Sequence, residues 1–210
     1  SENVNTPTVL IAGQSASRHS GSGSSWVYRY TMQSSDTEEL VSLSVSFTDA
    51  NGNAASTVTS TTNGSAVLFD KTAPSLNQVT AVTSITGDTT PDYTFNSNEA
   101  GTITVGGACN SSKTNASAGD NLITFGTTSA LSGITYNDCT ITVTDNADNP
   151  SSPLSVNTFT IDTTPPTLSE VTAVPTPTSD NTSNYTFSAS EAGTITYAGD
   201  CSSTDNTSIA

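Results

Sequence analysis

Glu99-Ala100-Gly101-Thr102-Ile103-Thr104 returns unchanged as Glu191-Ala192-Gly193-Thr194-Ile195-Thr196. The shift is 92 residues. It also carries Asp70-Lys71-Thr72-Ala73-Pro74 onto Asp162-Thr163-Thr164-Pro165-Pro166, Tyr93-Thr94-Phe95 onto Tyr185-Thr186-Phe187, and Cys109 onto Cys201, without a gap. A fixed period close to the length of one small domain is the signature of a tandem array, in which neighbouring units stack for reach. The opening part fits the frame more loosely: Asp49-Ala50-Asn51-Gly52-Asn53 resembles Asp145-Asn146-Ala147-Asp148-Asn149, and Ser1-Glu2 falls opposite Asn98-Glu99. The chain therefore divides into a partial repeat over 1–69 that lacks its early strands, a complete repeat over 70–161, and a partial repeat over 162–210 that lacks its late ones.

Inside each repeat the apolar residues alternate. In Thr140-Ile141-Thr142-Val143-Thr144, Ile and Val are set to face inward and Thr outward, the period of a half-buried strand. Serine and threonine fill roughly a third of the chain, and β-branched Thr suits an exposed strand face. The alternation predicts strands at Trp26–Met32, Val41–Thr48, Val79–Val82, Tyr93–Phe95, Thr102–Val105, Leu122–Phe125, Thr140–Thr144 and Leu154–Ile161. Gly, Asn, Asp and Ser clusters mark the turns between them. One helical turn is expected at Ser35–Leu40. About seven short strands per repeat read as an all-β immunoglobulin-like sandwich, with a small barrel as the structural alternative. The junctions Phe69–Pro74 and Ile161–Pro166 carry proline, which fixes φ and extends the residue before it. They read as stiff linkers, and the whole as a semi-rigid rod.

The net charge is −15, with Arg18, Arg29, Lys71 and Lys113 as the only basic residues besides His19. That balance opposes nucleic-acid and anionic-membrane binding, and favours solubility and divalent cations. No apolar run approaches the roughly 18 residues of a membrane span. Ser1 reads as a processed or cut end.

The run Glu-Ala-Gly-Thr-Ile-Thr, the strand Asp138–Asp145 and the Phe159-Thr160-Ile161-Asp162-Thr163-Thr164-Pro165-Pro166 junction resemble bacterial Ig-like repeats, the tandem modules of very large secreted or surface-anchored adhesins. Val45–Asn53 and Val67–Pro74 are similar to a cysteine-free relative. The resemblance implies a bacterial cell-surface or secreted setting. Partners would be neighbouring repeats, copies of the chain itself, or a host or surface glycan or protein bound by regions outside it.

Cys109 follows one predicted strand and Cys139 opens another, so a bridge between them would close a loop of about thirty residues. The alternative is two buried free thiols. Cys201 would pair with a residue past the end of the chain, which leaves it unpaired through truncation. Three cysteines without a CxxC or companion histidines do not make a zinc site, and a bridge implies an oxidising, extracytoplasmic compartment.

The carboxylates recur at equivalent places: Asp70 and Asp162 in the linkers, Glu2, Glu99 and Glu191 after the second strand, and Asp49 and Asp145 in the last hairpin. A sandwich brings linker, second-to-third-strand loop and last hairpin to one end. Asp70, Glu99, Asp145 and Asp148 are therefore expected to converge there, with Asp88, Asp162 and Glu191 at the opposite end. Calcium takes six to eight oxygen ligands and fits such a junction; the resemblance points the same way, since some such arrays are stiffened by calcium between domains. The competing reading makes the same residues turn and cap formers.

Catalysis is not expected. His19 stands in a Ser/Gly stretch, and enzymes rarely repeat an active site along a rod. Trp26, Tyr28 and Tyr30 alternate on one strand face, as a core stripe or a sugar-stacking surface. The leading functional expectation is a non-catalytic structural or adhesive module. The alternatives are a filament or sheath subunit polymerising by strand complementation between its partial ends, and a carbohydrate-binding accessory module.

Overall fold

The computed structural model describes residues 5–208. They form strands and connecting turns, with no helix among them. In the first segment the strands are β1 (Thr8–Ile11), β2 (Gln14–Ser15), β3 (Ser17–Ser22), β4 (Ser25–Arg29) and β5 (Leu43–Ser46). The central segment holds β6 (Leu76–Thr80), β7 (Ile85–Thr86), β8 (Asp92–Ser97), β9 (Gly101–Gly106), β10 (Asn115–Ala116), β11 (Gly119–Thr124), β12 (Thr135–Tyr136), β13 (Thr140–Thr144), β14 (Leu154–Ser155) and β15 (Phe159–Ile161). The last segment has β16 (Leu168–Thr172), β17 (Thr186–Ala189), β18 (Gly193–Thr194) and β19 (Thr207–Ser208). No sheet mixes strands from two segments.

The central segment packs β11-β8-β6 against β10-β9-β13-β14, with a small β12-β15-β7 sheet alongside. One hydrophobic cluster joins the layers: Tyr93 and Phe95 from β8, Ile123 from β11, Ile103 from β9, Ile141 and Val143 from β13, and Phe159 and Ile161 from β15. In β8 and β13 buried residues alternate with partly exposed ones, as the pleat requires. Phe159 stacks on Tyr136 with ring centroids 5.1 Å apart, a spacing at which aromatic pairs add to simple burial.

Cys109 and Cys139 form a disulfide with Cα atoms 5.4 Å apart. Cys109 lies just beyond the end of β9 and Cys139 just before β13, which is antiparallel to β9 with Gly106 opposite Thr140. The bridge therefore fastens one end of a strand pair within a sheet. The loop it closes contains β10, β11 and β12, one from each sheet of the segment.

Several elements differ from expectation. Ser35–Leu40 is not helical: Gln33 donates its backbone N–H to Asp36 Oδ2 at 2.6 Å, and the Asp36 N–H returns to the Gln33 carbonyl, so a local turn consumes the groups a helix would use. The run Leu154–Ile161 splits into β14 and β15. At the break the Asn157 side chain donates to the Val82 carbonyl and accepts from its N–H, and the chain moves from β13 to a new sheet. The expected strand at Val79–Val82 lies earlier, at β6, and the one at Trp26–Met32 ends at Arg29.

The first segment repeats the central β9–β13 pairing, and the hairpin after β13, in a register of 96 residues. Thr8 opposes Ser46 as Thr104 opposes Thr142, and Thr48 bridges Ala54 as Thr144 bridges Pro150.

Candidate functional site

Three chain segments meet where the central sandwich receives the preceding linker. The first is the hairpin after β13. Asp145 Oδ1 accepts the N–H groups of Ala147 (2.7 Å) and Asn149 (2.9 Å), and Oδ2 accepts the Asn149 amide at 2.9 Å. Burial opposes ionisation here, but the Asn149 and Ala147 hydrogen bonds outweigh it and hold the Asp145 carboxyl below its usual range. The hairpin turns through Asp148 at φ 66°, a left-handed geometry that Asp tolerates.

The second segment is the tight turn between β8 and β9. Buried Ser97 donates its hydroxyl to the Glu99 carbonyl at 2.6 Å. Asn98 donates its amide to Glu99 Oε1 and accepts the Ser75 N–H through Oδ1 at 2.7 Å. Gly101 makes the approach possible, because a Cβ there would lie 2.3 Å from the Thr144 carbonyl oxygen.

The third segment is the linker itself. Asp70 Oδ1 accepts the Thr72 N–H, and the Asp70 carbonyl accepts the Asn149 amide at 3.3 Å. Asn149 thus ties the linker to the hairpin. The other side of the linker is tied to the first segment. Lys71 Nζ donates to the carbonyls of Ser34 (2.7 Å) and Asp36 (2.8 Å), and Glu38 accepts from the Lys71 N–H and the Thr72 hydroxyl. The Thr72 hydroxyl first, then the Lys71 N–H, hold the Glu38 carboxyl low. Sequence reasoning missed this Lys71–Glu38 contact, since neither residue has a counterpart at the second linker.

Asp70, Glu99 and Asp145 each place a carboxylate oxygen within 4.8 Å of the others. Among the described residues this is the one group of three or more potential metal-ligating side chains. Calcium bonds of about 2.3–2.6 Å let oxygens on opposite sides of an ion stand close to 5 Å apart, so the span fits that cation. The donor set is all oxygen, as a hard cation requires.

The remaining carboxylates are placed otherwise. Asp148 is exposed at the hairpin tip. Asp49 builds the same hairpin as Asp145, accepting from Asn51 and Asn53, and the Asn53 amide leads in holding its carboxyl low. Asp88 accepts the Thr90 N–H and hydroxyl, and Asp162 accepts the Thr164 N–H. Glu191 is partly buried in the last segment, and Glu2 lies outside the described residues.

Trp26, Tyr28 and Tyr30 are all partly buried, while Val27 and Arg29 between them are exposed. Trp26 and Tyr28 line an apolar concavity with Pro7, Val9, Ile11, Leu43 and Val45. Tyr28 donates its hydroxyl to the Pro7 carbonyl and Tyr30 donates to Asp36. Cys201 is exposed and unbridged. The buried disulfide fits an oxidising compartment, and among the described residues no helix is long and apolar enough to cross a membrane. Compared with known proteins, the sequence matches no family model and no curated protein.

Proposed function

We propose that this chain is a non-catalytic structural segment of an extended Ig-like repeat array at a bacterial surface or in its secretions, with a calcium-binding junction between successive sandwiches. The observation that carries the reading is the meeting of Asp70, Glu99 and Asp145 at the linker, from three separate segments. Three like charges at this spacing repel by an amount on the order of 1 kcal/mol per pair even at water-like dielectric. A cation held there removes that repulsion and ties linker, turn and hairpin together. The order β11-β8-β6 against β9-β13-β14, with β7 parallel to β15, supports the immunoglobulin-like reading, and the 92-residue period supports the array.

In this role Asp70 and Asp145 hold the ion from the linker and the hairpin, Glu99 closes the third side, and Asn149 orients the Asp70 and Asp145 groups through its amide. Asp162 and Glu191, the repeat equivalents of Asp70 and Glu99, would serve a following junction in the same way.

Calcium titration followed by calorimetry tests this. Calcium should release or absorb heat at one site, raise the central melting transition by mass action, and reduce the spread of dimensions in small-angle scattering. Asp70→Asn or Asp145→Asn should abolish most of the response. Asp120→Asn, whose carboxylate accepts from Asn96 on the β8–β11 pair, should leave it intact. No heat and no shift in melting would reduce Asp70, Glu99 and Asp145 to turn and cap formers.

A further inference from the structure

The chain contains two Asn-Gly dipeptides, Asn51-Gly52 and Asn63-Gly64, both exposed in the first segment. An asparagine side chain and the backbone nitrogen after it can close a five-membered ring, and a following glycine leaves that nitrogen uncrowded. Both glycines have positive φ and nothing within 4 Å of a built Cβ, so steric access does not separate the two sites. Hydrogen bonding does. Asn51-Gly52 lies inside the Asp49–Asn53 hairpin. The Asp49 carboxylate accepts the Asn51 and Asn53 N–H groups at 2.9 and 2.8 Å and the Asn53 amide at 2.7 Å, while the Asp49 carbonyl accepts the Gly52 N–H at 3.1 Å. A negative charge beside the Gly52 nitrogen opposes the loss of its proton, and the hairpin bonds resist the rotation that ring closure needs.

Asn63-Gly64 is set the other way. The Ser65 N–H donates to Asn63 Oδ1 at 3.0 Å, and the Thr61 hydroxyl steadies the turn by donating to the Ser65 carbonyl at 2.7 Å. The Gly64 N–H reaches the Thr61 carbonyl only at 3.3 Å, past the usual range of such bonds. Residues 50–69 carry no charged side chain. The path from Asp49 to Asp70 is four residues longer than the equivalent path from Asp145 to Asp162, so this turn belongs to a local insertion and is built by its own residues.

We propose that Asn63-Gly64 is a self-modifying site, at which the folded protein converts Asn63 into isoaspartate and aspartate. The Gly64 nitrogen gives up its proton and bonds to Asn63 Cγ. The developing negative charge falls on Oδ1, where the Ser65 N–H already points. The bond from Cγ to Nδ2 then breaks, and Nδ2 takes up a proton and leaves as ammonia. A cyclic imide remains. Water, the only co-reactant, opens it at Cγ to give aspartate or at the main-chain carbonyl to give isoaspartate. Either product places a carboxylate in an uncharged stretch. Isoaspartate also adds a carbon to the main chain between the Val45–Val58 and Leu40–Leu68 bridges, the second of which leads into the linker. The inference depends on neither the array nor the calcium reading.

The test incubates the 210-residue protein in chelator and mildly alkaline buffer, folded and in denaturant, with a zero-time sample of each. Trypsin cleavage at Arg29 and Lys71 releases residues 30–71, which hold both dipeptides. Fragment masses assign the exchange of NH2 for OH to residue 51 or 63, and chromatography separates isoaspartate from aspartate. In the folded protein Asn63 should convert about tenfold or more faster than Asn51, and in denaturant the two rates should converge. Asp49→Asn should speed conversion at Asn51 and leave Asn63 unchanged. Asn63→Gln, which would need a larger ring, should stop conversion at that position. Far-ultraviolet dichroism verifies that each variant is folded. A smaller rate ratio in the folded protein, a ratio that persists in denaturant, or an Asn63 that stays intact while the denatured chain reacts fully would each overturn the proposal. An Asn51 that stays slow in Asp49→Asn would overturn it as well.

Discussion

Replacing Cys109 and Cys139 together with alanine cuts the one covalent tie inside the central sandwich. The bridged residues are 30 apart in sequence. In the chain-entropy treatment, releasing a loop of that size makes the unfolded state more favourable by about 3.6 kcal/mol. Both side chains are buried, Cys139 at 2 % and Cys109 at 6 % exposure, so a small packing loss adds to that figure. For a sandwich of this size each kcal/mol moves the midpoint by roughly 4–8 °C, which predicts a fall of about 15–30 °C. Differential scanning calorimetry of the oxidised parent, the double variant and the parent under reductant separates the two contributions. Reduction releases the loop while keeping both sulfurs in the core, so the reduced parent should melt between the other two. Cys201→Ser, at an exposed and unbridged position, is the control and should not move the transition. A double variant within about 1 kcal/mol of the oxidised parent would refute the reasoning, since the loop would then be held in the unfolded ensemble by something other than the bridge.

Two further outcomes follow from burial and charge. Tyr93→Ala should lower the stability of the central transition by about 3–5 kcal/mol, as truncating a fully buried aromatic does; Tyr185→Ala, at the equivalent but half-exposed position, should leave that transition in place. Hydrogen bonds hold the folded Asp145 carboxyl below its usual range, so its stabilising contribution is present above the unfolded carboxylate value and lost as pH falls through the folded one; without calcium, the acid limb of melting temperature against pH should be shallower in Asp145→Asn than in the parent.

The alternation of Thr140–Thr144 was readable because one face of β13 is core and the other is not, so the chemistry of successive residues must differ. The meeting of linker, turn and hairpin carboxylates was readable for a similar reason: equivalent residues recur at a fixed period, and sandwich connectivity returns alternate loops to the same end. What was not readable depended on single side chains acting on distant backbone. Asn157 ends one strand by satisfying both polar groups of Val82, and nothing in its own neighbourhood marks it for that. Asp36 replaces an expected helical turn by capturing the Gln33 N–H and the Tyr30 hydroxyl. Lys71 sits in the linker motif, yet its ammonium reaches back to Ser34 and Asp36, a contact set by how the chain folds over rather than by any local pattern.

The pairing of β7 with β15 has a mechanical meaning. These strands stand near the two ends of the central repeat and run parallel, with Ile85 opposite Thr160 and Thr86 opposite Ile161. Ser84 accepts the Thr160 N–H at 2.8 Å and Thr86 accepts the Asp162 N–H at 2.9 Å. Tension transmitted through the two linkers pulls these neighbours in opposite directions along their length. Their hydrogen bonds are therefore loaded together, in shear, whereas a hairpin pulled open from its ends yields one rung at a time. Should that patch slip, the strands outside the disulfide pay out first. The 30-residue span between Cys109 and Cys139, about 100 Å of contour at full extension, stays looped until the sulfur–sulfur bond is reduced. The repeat thus combines a rigid stop with a bounded stretch, properties suited to a tether that must survive a sudden load.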